Sequence, residues 1–260
     1  MNRMVYPGDE VIIEDNTIVK ILERKNYISR QKNDLTRHNA KVDTPIIAAN
    51  IDLALIVISP KNPDLHPAFI DRYKILLNAF NIPSLIVLNK SDLATEKTKE
   101  IIDFYRHRGE EVYETTFHNA QSILALKELI RGKRVILVGQ SGVGKSTLTS
   151  HLTGNHDIRV GKIGEKTKRG RHTTTNSNLY IIDKDTYIID TPGIRALSLK
   201  NIDEKEIMDY FKEFEGYKCR FKDCKHINEP TNVCGIKKAL EEGKINQIRY
   251  NSYYKIMDEK

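Results

Sequence analysis

Short apolar runs alternate with amphipathic helical patterns through the middle of the chain. The apolar runs predict buried β-strands at LALIVIS (53–59), SLIVLN (84–89), EVYET (111–115), RVILVG (134–139), NLYIID (178–183) and TYIID (186–190). The helical patterns lie at HPAFIDRYKILLNAF (66–80), EKTKEIIDFYRHRG (96–109), NAQSILALKELIRG (119–132) and in the segment that opens at Lys145. This alternation predicts an α/β fold whose mainly parallel sheet is covered by helices on both faces.

The two ends of the chain have different patterns. Up to about residue 43 the chain is strand-like, with DEVIIE and TIVKILER separated by the turn Asp15-Asn16. About three strands fit there, too few for a core of their own. The last sixty or so residues hold a helical pattern near 203–214, a cysteine cluster and further helical stretches. We therefore predict three domains, 1–43, 44–200 and 201–260.

A phosphate-binding loop follows the strand at 134–139. The sequence GQSGVGKST satisfies G-x-x-x-x-G-K-[ST], and STLTSHL leads out of it as a helix. Glycines let such a loop wrap closely around phosphates, while main-chain N–H groups at the helix N-terminus point at them. Lys145 is expected to reach the β and γ phosphates and Ser146 to hold Mg²⁺. The predicted nucleotide-binding residues are Gly139, Gln140, Ser141, Gly142, Val143, Gly144, Lys145, Ser146 and Thr147.

The tetrapeptide Asn-Lys-Ser-Asp lies about fifty residues before that loop, at the end of another apolar strand. Asp92 can accept hydrogen bonds from both N1–H and the exocyclic amine of guanine, and adenine would leave the carboxylate unpaired. Asn89 would fasten the loop and contact the base, and the aliphatic part of Lys90 would pack along the base. Ser91 is also among the predicted nucleotide-binding residues. The alternative is a helix N-cap by Ser91 or Asp92. The loop YETTF (113–117) is a weaker candidate for a companion loop.

A third element, DTPG, ends the strand at 186–190. It fits D-x-x-G, in which Asp190 would bond a Mg²⁺-bound water and the Gly193 N–H would meet the γ phosphate. The order along the chain is therefore base loop, phosphate loop, D-x-x-G. This is the usual GTPase order cut after D-x-x-G and rejoined, which is feasible because domain termini often lie close together. We predict a circularly permuted GTPase domain that binds GTP or GDP with Mg²⁺.

All three cysteines fall within sixteen residues, in the pattern C-x₄-C-x-H-x₇-C. Cys219, Cys224, His226 and Cys234 are the predicted ligands of one structural zinc, since three thiolates and an imidazole complete a tetrahedral site. Reduced surface or core cysteines are the alternative.

Length, charge and cysteine count limit the possible cellular locations and partners. The chain has 260 residues, a formal charge of +7 and an odd number of cysteines, which argues against a secreted disulfide framework. The first residues lack the apolar core of a signal peptide, and no apolar run approaches a membrane span. We expect a cytoplasmic monomer with no membrane partner; the basic charge suits RNA but does not prove it.

The chain closely resembles the permuted ribosome-small-subunit-dependent GTPases, the RsgA/YjeQ family. The matching stretches are YPGDEV, RKNYISR, AANIDLALIVIS, IDRY, LNKSDL, GQSGVGKST, GRHTTT, DTPGI and CRFKDCKHINEP. The resemblance implies an N-terminal OB-type barrel, a permuted GTPase domain and a C-terminal zinc domain. It also implies late maturation of the small (30S) ribosomal subunit, with hydrolysis stimulated by that subunit. The N-terminal segment here is shorter than the five-stranded barrel of the family, and the last cysteine gap is longer.

Hydrolysis needs a group that positions water. Ile194 stands where many GTPases carry a Gln after D-x-x-G. Its side chain can neither donate nor accept a hydrogen bond and so cannot position the water. His172 in GRHTTT is the nearest candidate by sequence, and the family carries a functional His in this motif. The alternative is a solvent-exposed loop histidine. Thr174 would coordinate Mg²⁺, with Thr173 as second choice.

The stretch from Arg159 to Arg171 holds six Lys or Arg against one Glu. It is either a solvated loop or a segment that orders against rRNA phosphates. We expect a GTP hydrolase acting on the small subunit and its rRNA. A nucleotide-gated rRNA-binding module with little intrinsic catalysis is the alternative, and an ATP-using P-loop enzyme is a third reading.

Overall fold

The computed structural model describes residues 4–29, 46–155, 178–190, 199 and 202–260. Ten strands are described: β1 Val11–Glu14, β2 Thr17–Ile21, β3 Tyr27–Ser29, β4 Ile46–Ala49, β5 Leu53–Ile58, β6 Ser84–Asn89, β7 Val112–Thr115, β8 Arg134–Val138, β9 Asn178–Asp183 and β10 Thr186–Asp190. Seven α-helices are described: α1 Pro67–Ala79, α2 Glu96–His107, α3 Ala120–Leu129, α4 Lys145–Thr153, α5 Glu204–Tyr210, α6 Gly235–Glu241 and α7 Gln247–Asp258. Every strand and helix predicted for the central segment is present.

The central sheet has six strands in the order β7-β6-β5-β8-β10-β9. Five of them are parallel, and β9 pairs antiparallel with β10 at one edge. The sheet is therefore mixed, as an α/β fold with one hairpin edge requires. β8 lies between β5 and β10 although it comes after β5, β6 and β7 in the chain. Such a return of the chain to the middle of the sheet is typical of doubly wound α/β folds.

The central strands β5, β6 and β8 are mostly buried because both of their faces carry apolar residues. All six residues of β5 are buried, and one core cluster joins β5, β6 and β8 to side chains of α3 and α4. Several helices start at side-chain caps: Thr95 caps α2, Asn119 caps α3 and Asn246 caps α7. Such caps satisfy the first N–H groups of a helix.

Two compact units divide the chain. The first comprises Met1–Leu65 and Leu77–Ser198, and the second comprises His66–Leu76 and Leu199–Lys260. The second unit thus includes most of α1, which the sequence pattern had grouped with the central segment. None of the helices in the described part of the chain is long and apolar enough to cross a membrane.

The N-terminal strands form two small sheets in the described residues. β1 pairs antiparallel with β2, and β3 with β4. The turn predicted at Asp15-Asn16 is present, and both residues have positive φ values, 47° and 59°. Asp9 anchors this region through hydrogen bonds from the Arg24 guanidinium at 2.6 and 2.9 Å.

Candidate functional site

The carboxyl ends of the parallel strands bring the predicted motifs to one edge of the sheet. Asn89 ends β6, the phosphate loop follows Val138 at the end of β8, and Asp190 ends β10. Ligands of open α/β sheets bind at this edge, near the point where the strand order reverses. Here the order changes direction around β5 and β8.

The phosphate loop depends on glycines at two close approaches. A Cβ on Gly139 would lie 2.2 Å from the carbonyl oxygen of Val57, and one on Gly144 would lie 2.4 Å from Nδ2 of Asn89. Both residues have positive φ, 144° and 96°. Any other residue would therefore meet both backbone strain and a clash at these positions.

Helix α4 begins directly after this loop and has no side-chain cap. Its N-cap is Gly144, in the left-handed conformation. The first N–H groups of a helix have no intrahelical partner, and the helix dipole adds positive potential there. Ser146 and Thr147 lie half-buried in the first turn. An anion such as a phosphate would satisfy this end of α4.

Lys145 folds back over the same loop. Its Nζ donates to the carbonyl oxygens of Gly139 at 2.7 Å and Gln140 at 2.5 Å. The ammonium therefore lies at the loop, where a phosphate would need it.

The predicted base loop touches the phosphate loop directly. Asn89 is fully buried, and its Nδ2 donates to the carbonyl of Val143 at 2.9 Å. Its Oδ1 accepts from the Thr115 hydroxyl at 3.1 Å. Lys90 donates from Nζ to the Gly142 carbonyl at 2.9 Å. Two loops far apart in sequence are thus joined by hydrogen bonds between their own atoms.

Asp92 lies on a short 3₁₀ helix, Ser91–Leu93, right after this contact. One of its oxygens, Oδ1, accepts from the Thr116 hydroxyl at 2.5 Å. Its side chain is 31% exposed, so part of the carboxylate remains open to a ligand. The loop after β7 is thereby a companion to the base loop, and Phe117 in it stacks on His151 of α4 at 4.5 Å between ring centroids.

Individual roles for Thr115 and Thr116 were missed by sequence reasoning. The available signal was two hydroxyl residues at the carboxyl end of the strand next to β6. Several other predicted residues, namely His172, Thr173, Thr174, Gly193 and Ile194, lie outside the described residues. Asp190 is described and is half-buried at the end of β10.

The cysteine cluster assembles in the second unit. The Nδ1 atom of His226 lies 3.4, 3.3 and 3.4 Å from the sulfurs of Cys219, Cys224 and Cys234. All four ligand atoms lie within 4.8 Å of one another. Tetrahedral zinc with ordinary bond lengths needs S···N separations of about 3.5 Å. The four side chains therefore fit a zinc ion.

Burial determines the protonation of these ligands when no metal is bound. Burial raises the pKa of the Cys224 thiol to about 12, and burial likewise raises the pKa of Cys234. Burial lowers the pKa of His226, against a smaller opposite effect of Glu229. Neutral imidazole is the ligating form, and a bound divalent ion deprotonates coordinating thiols.

Backbone contacts hold the ligands in place. Main-chain N–H groups of Gly235 and Lys237 donate to the sulfurs of Cys219 and Cys234 at 3.3 and 3.5 Å. The Tyr250 hydroxyl donates to the carbonyl of His226 at 2.7 Å. Such contacts orient metal ligands and partly offset thiolate charge.

Comparison with known proteins agrees with this architecture. The profile of the family described as RsgA GTPase matches residues 21–200. A protein of Agathobacter rectalis, named small ribosomal subunit biogenesis GTPase RsgA, is 33% identical over 95% of this chain and 82% of its own length. A protein of the same name from Christiangramia forsetii is 36% identical over 98% and 83%.

Two solved structures are also similar. YjeQ from Thermotoga maritima aligns with a TM-score of 0.69 and 31% identity over 98% of this chain and 84% of that one. YloQ, described as a circularly permuted GTPase, aligns with a TM-score of 0.64 and 26% identity over 100% of this chain and 83% of that one.

Proposed function

The chain belongs to the RsgA GTPase family, a family of GTP hydrolases, and on that basis we propose that it acts in late maturation of the small ribosomal subunit. In this role the subunit stimulates hydrolysis of GTP to GDP and phosphate. The names of the relatives support a role in small-subunit maturation, because these proteins are called small ribosomal subunit biogenesis GTPases. The basic formal charge of +7 is compatible with an rRNA partner.

The contact between Asn89 and Val143 carries the nucleotide part of the proposal. It brings the loop that would read guanine against the loop that would hold the phosphates. One guanosine triphosphate then spans both loops, with Asp92 at the base and Lys145 at the β and γ phosphates. Asn89, Lys90 and the segment 139–147 complete the proposed nucleotide site.

The Mg²⁺ that accompanies GTP in such enzymes supplies charge stabilisation at the phosphates. Hydroxyl and carboxylate oxygens are suitable ligands, and this chain offers them at Ser146, Thr174 and, through water, Asp190. Gly193 N–H would meet the γ phosphate. His172 would accept a hydrogen bond from the attacking water, a task that Ile194 cannot perform.

A second candidate function follows from Ile194. Without a water-positioning side chain after D-x-x-G, the protein would act mainly as a nucleotide-gated rRNA-binding module, with hydrolysis as a release step. The basic stretch 159–171 would then contact rRNA phosphates while GTP is bound.

The zinc site completes the proposal. Cys219, Cys224, His226 and Cys234 hold one structural zinc ion, which stabilises the C-terminal region. We keep the domains as 1–43 (partial OB-like), 44–200 (permuted GTPase) and 201–260 (zinc-binding). The protein acts as a cytoplasmic monomer.

GTP turnover with and without purified small subunits tests the proposal. Small subunits should raise kcat by about tenfold or more, as a partner that completes an active site does, whereas large subunits should not. Equal turnover under all three conditions would exclude a stimulated hydrolase. Competition between GTP and ATP in the same assay checks the base, and displacement of GTP by equimolar ATP would exclude Asp92 as a guanine reader.

A further inference from the structure

We infer that the segment between the first two predicted metal ligands, residues 220–223, is an RNA-contact surface on which Phe221 stacks against an unpaired base. We call these four residues the ligand loop. The inference adds a specific contact to the proposed ribosomal role and rests on that role for the identity of the partner. The loop sequence is Arg-Phe-Lys-Asp, between Cys219 and Cys224.

Phe221 is the central observation. The Phe221 side chain has a relative exposure of 51%, which is high for an aromatic residue. In the same unit Phe211 and Phe214 are buried at 1% and 8% exposure and pack on Tyr253. The unit therefore has an aromatic core, and Phe221 lies outside it. An exposed aromatic ring offers a face on which a base can stack.

Three cationic residues lie close to Phe221 in the chain. Lys218, Arg220 and Lys222 are all exposed, and the Arg220 guanidinium carbon lies 6.0 Å from the centre of the Phe221 ring. Within the described chain none of these three cations forms an ion pair with a carboxylate. Asp223 is the single acidic residue of the loop.

Neighbouring charges are engaged with the protein instead. Lys225 pairs with Glu204 at 2.9 Å, and Lys237 donates to the Ile227 carbonyl at 2.6 Å. Glu229 accepts from the main-chain N–H of Lys225 at 2.8 Å, so its charge is used to hold the turn. Arg220 and Lys222 of the ligand loop therefore remain available to an anionic partner, unlike Lys225 and Lys237.

The loop is presented on a fixed base. The Arg220 N–H donates to the Val233 carbonyl at 2.8 Å, and a Cβ on Gly235 would lie 2.4 Å from the Lys218 carbonyl oxygen. Metal coordination at Cys219 and Cys224 would tie both ends. A ring held in this way loses little conformational entropy on binding.

Chemistry favours RNA over an acidic protein. Cations next to an exposed ring match a strand that carries a phosphate at every nucleotide and a π-face on every base. An acidic protein surface would use the cations but offers few flat rings for Phe221. Single-stranded or looped RNA uses both features, because its bases are free to unstack.

Binding of the full-length, zinc-loaded protein to RNA tests the inference. The probe is a fluorescent single-stranded RNA of about twelve nucleotides, and heparin serves as a polyanion without bases. Phe221→Ala should weaken RNA binding by about tenfold and leave heparin binding unchanged. The double variant Arg220→Ala/Lys222→Ala should weaken both, and it should reduce the salt slope for RNA by about 1.4, the value for two phosphate contacts on a single strand.

Matched variants exclude nonspecific effects. Leu124→Ala removes an apolar residue of 54% exposure on α3, and Lys97→Ala/Lys184→Ala removes two exposed charges. Both controls should bind RNA like the wild type, and zinc content should equal one ion per chain in every variant. RNA affinity within twofold of wild type for Phe221→Ala, with zinc retained, would overturn the inference. Equal loss on RNA and heparin would also overturn it, because it would indicate a purely electrostatic surface.

The outcome is separable from that of the proposed function. If small subunits stimulate wild-type turnover and Phe221→Ala raises the subunit concentration needed for half-maximal stimulation, both stand. If stimulation occurs and is unaffected by Phe221→Ala, the inference fails while the function stands. Absence of stimulation in the wild type would refute the function whatever the RNA assay shows.

Discussion

The side-chain amide of Asn89 donates a hydrogen bond of 2.9 Å to the main-chain carbonyl of Val143, a residue of the phosphate loop. The two residues are 54 positions apart, and Asn89 comes first in the chain. Because the amide is fully buried, the bond also satisfies a polar group that would otherwise destabilise the fold. The base loop and the phosphate loop therefore share one structural unit despite their reversed order.

Gly144→Ala should disable this contact. A Cβ there would lie 2.4 Å from Asn89 Nδ2, and the φ of 96° strains any other residue. We expect GTP affinity to fall by at least tenfold, roughly the effect of losing one or two buried hydrogen bonds. Gly154→Ala is the matched control, since Gly154 also has positive φ, 70°, with nothing within 4 Å of its Cβ position. It should retain GTP affinity; equal loss in both variants would show that backbone strain alone is responsible.

Asp92→Asn should change the base preference from guanine to xanthine. An amide replaces one acceptor by a donor, and xanthine carries a carbonyl oxygen where guanine has its exocyclic amine. The expected loss for GTP is about a hundredfold, because one hydrogen bond to a charged acceptor is lost and the exocyclic amine then faces another donor. A gain for XTP should be measured by nucleotide displacement. Thr116→Val removes the hydroxyl that donates to Asp92 at 2.5 Å. It should weaken GTP binding without any gain for XTP, and an unchanged base preference in Asp92→Asn would contradict the assignment.

His172→Ala should spare GTP binding and remove most subunit-stimulated turnover. Positioned acid–base groups contribute about a hundredfold or more to rate, so stimulated kcat should fall by about that factor. His107→Ala, an exposed histidine on α2, is the control and should behave like the wild type. An unchanged stimulated kcat in His172→Ala would show that another group positions the attacking water.

Metal removal should destabilise the second unit. Burial raises the pKa of Cys224 to about 12, so the metal-free thiol is protonated at neutral pH. Zinc uptake must then release protons, and zinc affinity should fall as pH is lowered. Calorimetry in buffers of different ionisation enthalpy measures the released protons. Cys234→Ser should lower zinc content and thermal stability together, and full zinc retention would remove Cys234 from the ligand set.

Asp71→Asn should destabilise the second unit through a buried ion pair. Asp71 and Arg249 are both fully buried and lie 2.5 Å apart, and Arg249 also contacts Glu213 at 2.9 Å. Removing one partner of such a pair costs about 3–5 kcal/mol. Arg72→Ala, which breaks the exposed pair with Glu259 at 2.8 Å, should cost about 1 kcal/mol or less.

A double-mutant cycle with Arg249→Met sharpens this comparison. Denaturant unfolding of the double variant should show less destabilisation than the sum of the single variants, because the charge at Asp71 and the charge at Arg249 are then removed together and neither leaves the other buried without its partner. Additive losses would show that the two residues act independently.

The sequence by itself determined the α/β class, the strands and helices of the central segment, and the base loop and phosphate loop at the ends of β6 and β8. It could do so because buried parallel strands are continuous apolar runs, and phosphate loops need glycines at set spacings. It also placed the four side chains of the cysteine cluster, since tight spacing leaves few other arrangements.

Only the tertiary structure decided which side chains meet across these elements. Thr116 on Asp92, Asn89 on Val143 and Asp71 on Arg249 join residues 24, 54 and 178 positions apart, and no local pattern marks such pairs. The same holds for helix α1, most of which belongs to the unit of the C-terminal residues. Local periodicity records which face of an element is buried, whereas the partner that buries it is set by packing between elements distant in the chain.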